Sequence, residues 1–170
     1  MEKKILKLEK KPLSNTDIEH LTGGKYKVLS YTELMTYRTL DELLNPNGAF
    51  CVLYETDENF GHWVAVIKIN DKLVEFFDPL SSKPDGEFAF ISNTYKKQPY
   101  LKHLLKESPY KLSYNQYKFQ KNKLGVNTCG RHCALRMLLK HLSLEQYKKL
   151  LTTKKYDYDF MVTLLTEMLF

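Results

Sequence analysis

The chain has 170 residues, 43% of them hydrophobic and 13% aromatic, with a formal charge of +6 from 26 basic and 20 acidic groups. That is the length of one ordinary domain and too apolar for disorder, and a domain of this size buries roughly two-thirds of its unfolded surface, so it needs no disulfide staples. Three cysteines, with Cys129 and Cys133 too close for a useful clip, argue against a disulfide-rich secreted scaffold and for a reducing compartment; no apolar run approaches the ~20 residues of a bilayer span, and Met1 to Lys7 lacks the apolar stretch of a signal peptide.

Residues 1–170 are expected to form a single domain, with 1–11 as a loose basic N-terminal segment. Ser14 with Asp17 predicts a helix start, and Gly23-Gly24 ends that segment. Ser30 with Glu33 predicts a second short helix. Thr39 with Glu42 predicts a third, closed by Asn45-Pro46-Asn47-Gly48. Ala49 to Tyr54 reads as a buried strand. His62 to Ile69 and Lys72 to Asp78 read as a hairpin around Asn70-Asp71. Pro79 ends that ladder because it lacks a backbone donor. A Pro/Gly/Ser-rich loop (81–86) leads to a helix near Pro99 to Glu107 and a strand within Tyr110 to Tyr117. From Cys129 the pattern is helical: Ala134 to Leu139 is apolar, Ser143 with Gln146 opens the next helix, and Asp157 or Asp159 the last. The class is α+β, a small mixed or antiparallel sheet flanked by helices with a helical C-terminal third.

The lysines spread along the chain carry two readings: a solvated surface, or weak sequence-independent attraction to DNA. No motif that reads RNA or DNA stands beside them.

The sharpest local feature is Thr128-Cys129-Gly130-Arg131-His132-Cys133. A cysteine placed where a loop turns into a helix meets free N–H groups and the positive end of the dipole, which favour thiolate, the nucleophilic form. Gly130 would keep the space beside the sulfur open for a substrate carbonyl, with backbone N–H groups supplying part of an oxyanion hole. The bland reading is a buried cysteine starting a core helix, since free cysteine is among the most buried residue types. Cys133 reads as core. His132 and Arg131 have no evident chemical role, and His20, His103 and His141 read as structural.

A nucleophilic thiol needs a base and an orienter. His62 starts one strand and Asp78 ends its neighbour, so antiparallel pairing brings them together. A strict two-residue turn at Asn70-Asp71 would instead set Trp63 opposite Asp78 and put His62 on the other face. The pair therefore requires an odd-length loop, a bulge, or one member just off the ladder. Gln116 and Gln120 are candidates to complete the oxyanion hole, with Gln120 preferred.

Gly61-His62-Trp63-Val64, Glu75-Phe76-Phe77-Asp78-Pro79 and Thr128-Cys129-Gly130-Arg131 together resemble the clan of adenain-like and ubiquitin-like-protein-specific cysteine proteases. They look most like the small maturation proteases of virophages, polintons and large DNA viruses, over about residues 12 to 140. The resemblance implies a papain-related fold with permuted segments and a thiol endopeptidase with no cofactor and no metal. It implies Cys129 as nucleophile, His62 as base, Asp78 as orienter, Gln120 with the Cys129 N–H at the oxyanion, and Trp63 packed beside the pair. Its substrates would be capsid or core precursors cut after Gly-Gly or Gly-X during virion maturation, by a monomer located in the virion and the infected-host cytoplasm, away from membranes. One departure is the nine-position gap between Gln120 and Cys129. Leu21-Thr22-Gly23-Gly24-Lys25 resembles a cleavage site of that kind, though Gly after a helix is a common C-cap.

Competing readings are a deconjugase of ubiquitin-like modifiers, a module that grips glycine-ended tails without cutting, and a metal site using Cys129, His132, Cys133 and His62. The metal reading lacks a second ligand pair, and Arg136 is one position too far from Cys129 for a Cys-X5-Arg phosphatase loop.

Overall fold

The computed structural model describes residues 1–58 and 60–169. Its centre is a five-stranded mixed sheet in the order β1-β2-β3-β4-β5, formed by Lys27–Ser30, Ala49–Asp57, Phe60–Asn70, Leu73–Phe77 and Lys111–Tyr114. β2, β3 and β4 are antiparallel neighbours, while β1 and β5 add on either side in parallel. The helices are α1 (Glu2–Leu8), α2 (Asn15–Leu21), α3 (Tyr31–Leu34), α4 (Leu40–Leu44), α5 (Tyr100–Glu107), α6 (Cys129–Leu138), α7 (Leu144–Leu151) and α8 (Tyr158–Glu167). This is an α+β fold with helices on both faces of the sheet.

Side-chain alternation sorts the sheet into two cores. Odd-numbered Ala49, Cys51, Leu53, Trp63, Ala65, Ile67 and Phe77 join α2, α6, α7 and α8 in one cluster. Even-numbered Phe50, Val52, Tyr54, Val64, Val66, Val74 and Phe76 join α3, α4 and α5 in the other. With both faces covered, Ala49–Tyr54 and Trp63–Ile67 must be apolar throughout, which is why they read as unbroken runs.

Capping follows the sequence closely. Ser14, Ser30 and Ser143 close reciprocal boxes with Asp17, Glu33 and Gln146. Thr39 accepts from the Glu42 N–H, and Asp157, the first of the two candidate openers of the last helix, accepts from the Phe160 N–H. Gly23 and Gly24 have φ of 65° and 68°. Their N–H groups return to His20 and Glu19 carbonyls at 3.2 and 2.8 Å, the Schellman pattern that ends a helix. The resemblance to a cleavage site thus falls on a folded helix terminus, with Leu21 and Thr22 buried.

Two elements differ from expectation. The N-terminal segment is not loose. It forms α1, with Ile5 buried and Glu2 paired with Lys155 at 2.7 Å. β1 gives no sequence signal, because its four residues follow the Gly turn and end on the capping serine, too few positions to show a period.

Candidate active site

The hairpin geometry sets up the site. Ala65 pairs with Phe77 and Lys68 with Val74, but Asn70 pairs with Leu73, so a bulge lies between Lys68 and Asn70. It shifts the register by one. Extended one step, the register sets Asp78 opposite Val64, on the face shared with His62. Asp78 itself lies just past the end of β4. The diagonal is short enough for long side chains to meet, and His62 Nε2 and Asp78 Oδ1 are 2.6 Å apart. Both are buried, at 7% and 0% exposure.

β3 runs on past its last β4 partner, and there the Trp63 N–H donates to Cys129 Sγ at 3.4 Å. Cys129 opens α6 with no side-chain cap on the helix. Its thiol sits among unsatisfied helical N–H groups at the positive end of the dipole. Cys129 also acts electrostatically on the His62 imidazole. Burial alone would lower the basicity of His62, but Asp78 and Cys129 together outweigh it and hold the imidazole well above its ordinary value. Cys129, His62 and Asp78 thus form one chain of contacts at the end of the sheet. Cys133 is fully buried, and burial pushes its thiol up.

Neighbouring residues fix this chain of contacts. Asn115 accepts the Asp78 N–H at 3.0 Å and donates to the Asp78 carbonyl at 2.7 Å, clamping the backbone that carries the carboxylate. An isolated Asn in a polar stretch offers no sequence signal for that role. Trp63 Nε1 donates to the Leu13 carbonyl at 3.1 Å. A Cβ on Gly61 would lie 1.9 Å from the Tyr54 carbonyl oxygen, so only glycine fits before His62. At Gly130, Leu13, Trp63 and Ile18 atoms lie 3.1, 3.2 and 3.3 Å from where a Cβ would be. The missing side chain lets Trp63 and the N-terminal segment close on α6.

Of the two glutamine candidates, Gln120 is buried and Gln116 exposed. The Gln120 N–H bonds the Pro79 carbonyl at 3.0 Å, and its Nε2 donates to the Val126 carbonyl at 3.1 Å. That second bond spans residues 121–125, which turn outward and return. The nine-position gap is an exposed excursion closed at its base by the glutamine itself. The Asn127 N–H and Nδ2 bond the Glu9 and Lys10 carbonyls, each at 2.8 Å.

His132 has a role the sequence did not reveal. It is fully buried with Nε2 3.1 Å from Asp159 Oδ1, and the Thr128 hydroxyl donates to the same oxygen at 2.6 Å. α8 thereby anchors the residue before Cys129. Arg136 forms a bidentate ion pair with Glu75 at 2.9 and 3.1 Å. The set Cys129, His132, Cys133 and His62 is not assembled as a metal centre, since His132 turns to Asp159. A cleft of about 290 Å³ opens beside the site. Pro12 to Asn15 form one side and Phe60, Gly61 and Trp63 the other, with Glu33 and Glu55 on its wall.

The fold and site define an α+β protein with a Cys–His–Asp constellation at the end of its sheet. No family model matches the chain. It is 38% identical over 173 residues to the uncharacterized protein V9 of Sputnik virophage, covering 96% of this chain and 99% of that protein. The chain belongs to the family of that virophage protein. Among solved structures, the SUMO protease Ulp1 with its catalytic cysteine oxidized to a sulfinic acid is similar at 14% identity and a TM-score of 0.41, over 94% of this chain and 79% of that one. No described helix is long and apolar enough to cross a membrane.

Proposed function

We propose that the chain is a cysteine endopeptidase. The observation that carries this is the buried imidazole of His62, with Asp78 on Nε2 at 2.6 Å and its basicity raised by Asp78 and Cys129 together. His62 takes the thiol proton, and Cys129 Sγ attacks the scissile carbonyl carbon. The oxyanion takes hydrogen bonds from the Cys129 N–H and the second amide hydrogen of Gln120. The imidazolium gives its proton to the leaving amine as the C–N bond breaks and a thioester remains. Water then adds to the thioester, its proton going to His62 and on to the departing sulfur. Asp78 keeps the ring in the tautomer that exposes Nδ1 to the thiol.

The motif resemblance stated above supports a papain-related enzyme that cuts capsid or core precursors after Gly-Gly or Gly-X during virion maturation, and the relative in a virophage agrees with a viral setting. The cleft between Leu13 and Gly61 supplies the groove for an extended chain.

Two measurements test this. Alkylation of Cys129 at pH 6 should be faster than that of an exposed reference thiol and should slow at least about tenfold in His62→Ala. Peptides containing Gly-Gly should be cut by the wild type and not by Cys129→Ala. Ordinary thiol reactivity together with no cleavage would overturn the reading. Cleavage confined to tails of folded ubiquitin-like proteins would reassign the enzyme as a deconjugase.

A further inference from the structure

A second acidic group reaches the His62–Asp78 pair from an element the mechanism does not use. Asp85 receives hydrogen bonds from the Tyr31 and Tyr54 hydroxyls at 2.9 and 2.7 Å, and from the Lys102 N–H at 2.8 Å. Those bonds pin the loop after β4. The next turn is a short 3-10 helix, Gly86–Ala89, which carries the half-buried Glu87 to the site. One donor atom each from His62, Asp78 and Glu87 lie within 4.8 Å of one another. Asp78 Oδ2 is buried and has no hydrogen-bond partner among the described residues. Asp78 is fully buried, so a carboxylate oxygen without a donor there is costly unless something positive meets it.

We propose that His62, Asp78 and Glu87 form a binding site for a divalent cation of the zinc type, whose occupation shuts off the Cys129 centre. One imidazole and two carboxylates are three protein donors of the kind zinc accepts, and a water completes the tetrahedron. At zinc–ligand distances of ~2.0–2.2 Å the donors must stand ~3.3 Å apart. The His62–Asp78 contact has to open by less than 1 Å, and Glu87 has to swing inward from a loop whose anchor is elsewhere. His62 binds as neutral imidazole through Nε2, its proton exchanging through solvent from Nε2 to Nδ1, and Asp78 changes from hydrogen-bond acceptor to ligand. Cys129 is not among the three donors, which separates this site from a metal held by the thiolate. Only the inhibitory consequence rests on the peptidase reading; the binding does not.

The test is zinc alone, titrated into the full chain against a chromophoric chelator, with Glu87→Gln and Cys129→Ser beside the wild type. One zinc per chain is expected, with affinity reduced about tenfold or more in Glu87→Gln and unchanged within about threefold in Cys129→Ser. Glu87→Gln should also need correspondingly more zinc for half-inhibition of thiol alkylation at Cys129. Unchanged affinity in Glu87→Gln, loss of binding in Cys129→Ser, or no stoichiometric zinc on the wild type would each overturn the site. Loss of peptide cleavage with zinc binding intact would count against the peptidase reading alone.

Discussion

Asp78 is the residue on which the site turns, because it serves two partners with one oxygen. Its Oδ1 contacts His62 Nε2 and also accepts the Leu80 N–H at 2.8 Å. Burial works against a charged imidazole at His62, and Asp78 and Cys129 together overcome it. A histidine raised in this way contributes stability in full below its unfolded value and loses it as pH rises through the elevated one. In Asp78→Asn the imidazole should become less basic, so the alkaline limb of the pH–rate profile moves to lower pH. With the orienter gone, kcat should fall by about 10²- to 10⁴-fold. An unmoved limb, measured with peptide substrates from pH 5 to 10, would mean that Asp78 does not set the charge of His62.

At the scale of elements, the hairpin decides whether the site exists. The bulge between Lys68 and Asn70 converts a register that would separate His62 and Asp78 into one that gives them a common face. β2 then holds the far side of β3, where Tyr54 pairs with His62 and Glu55 with Gly61. A methyl group at Gly61 cannot fit against the Tyr54 carbonyl. Gly61→Ala must therefore push β3 away from β2 where His62 is carried. Chemical denaturation should show a loss of about 3 kcal/mol or more, with activity falling further than stability because His62 moves. A loss under ~0.5 kcal/mol would show that the strand pair adapts without strain.

Across the whole molecule, the N-terminal segment links distant parts. Glu9 and Lys10 carbonyls hold Asn127, Leu13 holds Trp63, and Glu2 reaches Lys155. Glu9 lies where α1 meets the α8 end of the chain. Burial, with Asp157 and Asp159 adding, pushes its carboxyl up to about 7 from an ordinary 4.5, against Lys121. An acid raised on folding binds its proton more tightly in the native state, so stability is lost as pH rises from about 4.5 to about 7. Glu9→Gln removes that titration. Thermal melts of the two proteins should agree near pH 4.5 and separate by pH 7.5. The variant should be higher by a few degrees, at ~2–4 °C per kcal/mol for a chain of this size. Parallel pH curves would show that Glu9 is not strained by its acidic neighbours.

Much of this was legible along the chain because it is local. A Ser three residues before an acid or amide forms a capping box within one turn, and strand runs buried on both faces are apolar at every position. Cys129 at a loop-to-helix junction and the His62 and Asp78 strand ends likewise follow from short stretches of sequence, and with them the α+β class. Only the tertiary structure decided what depends on contacts between distant residues. The bulge chose the face of His62. The packing of Leu13, Trp63 and Ile18 filled the space at Gly130. Asn115 found Asp78, and Asp159 found His132 and Thr128, across 37, 27 and 31 positions. Partners so far apart leave no periodic trace in the sequence, since their pairing is selected by the packing of both sheet faces rather than by the chain between them.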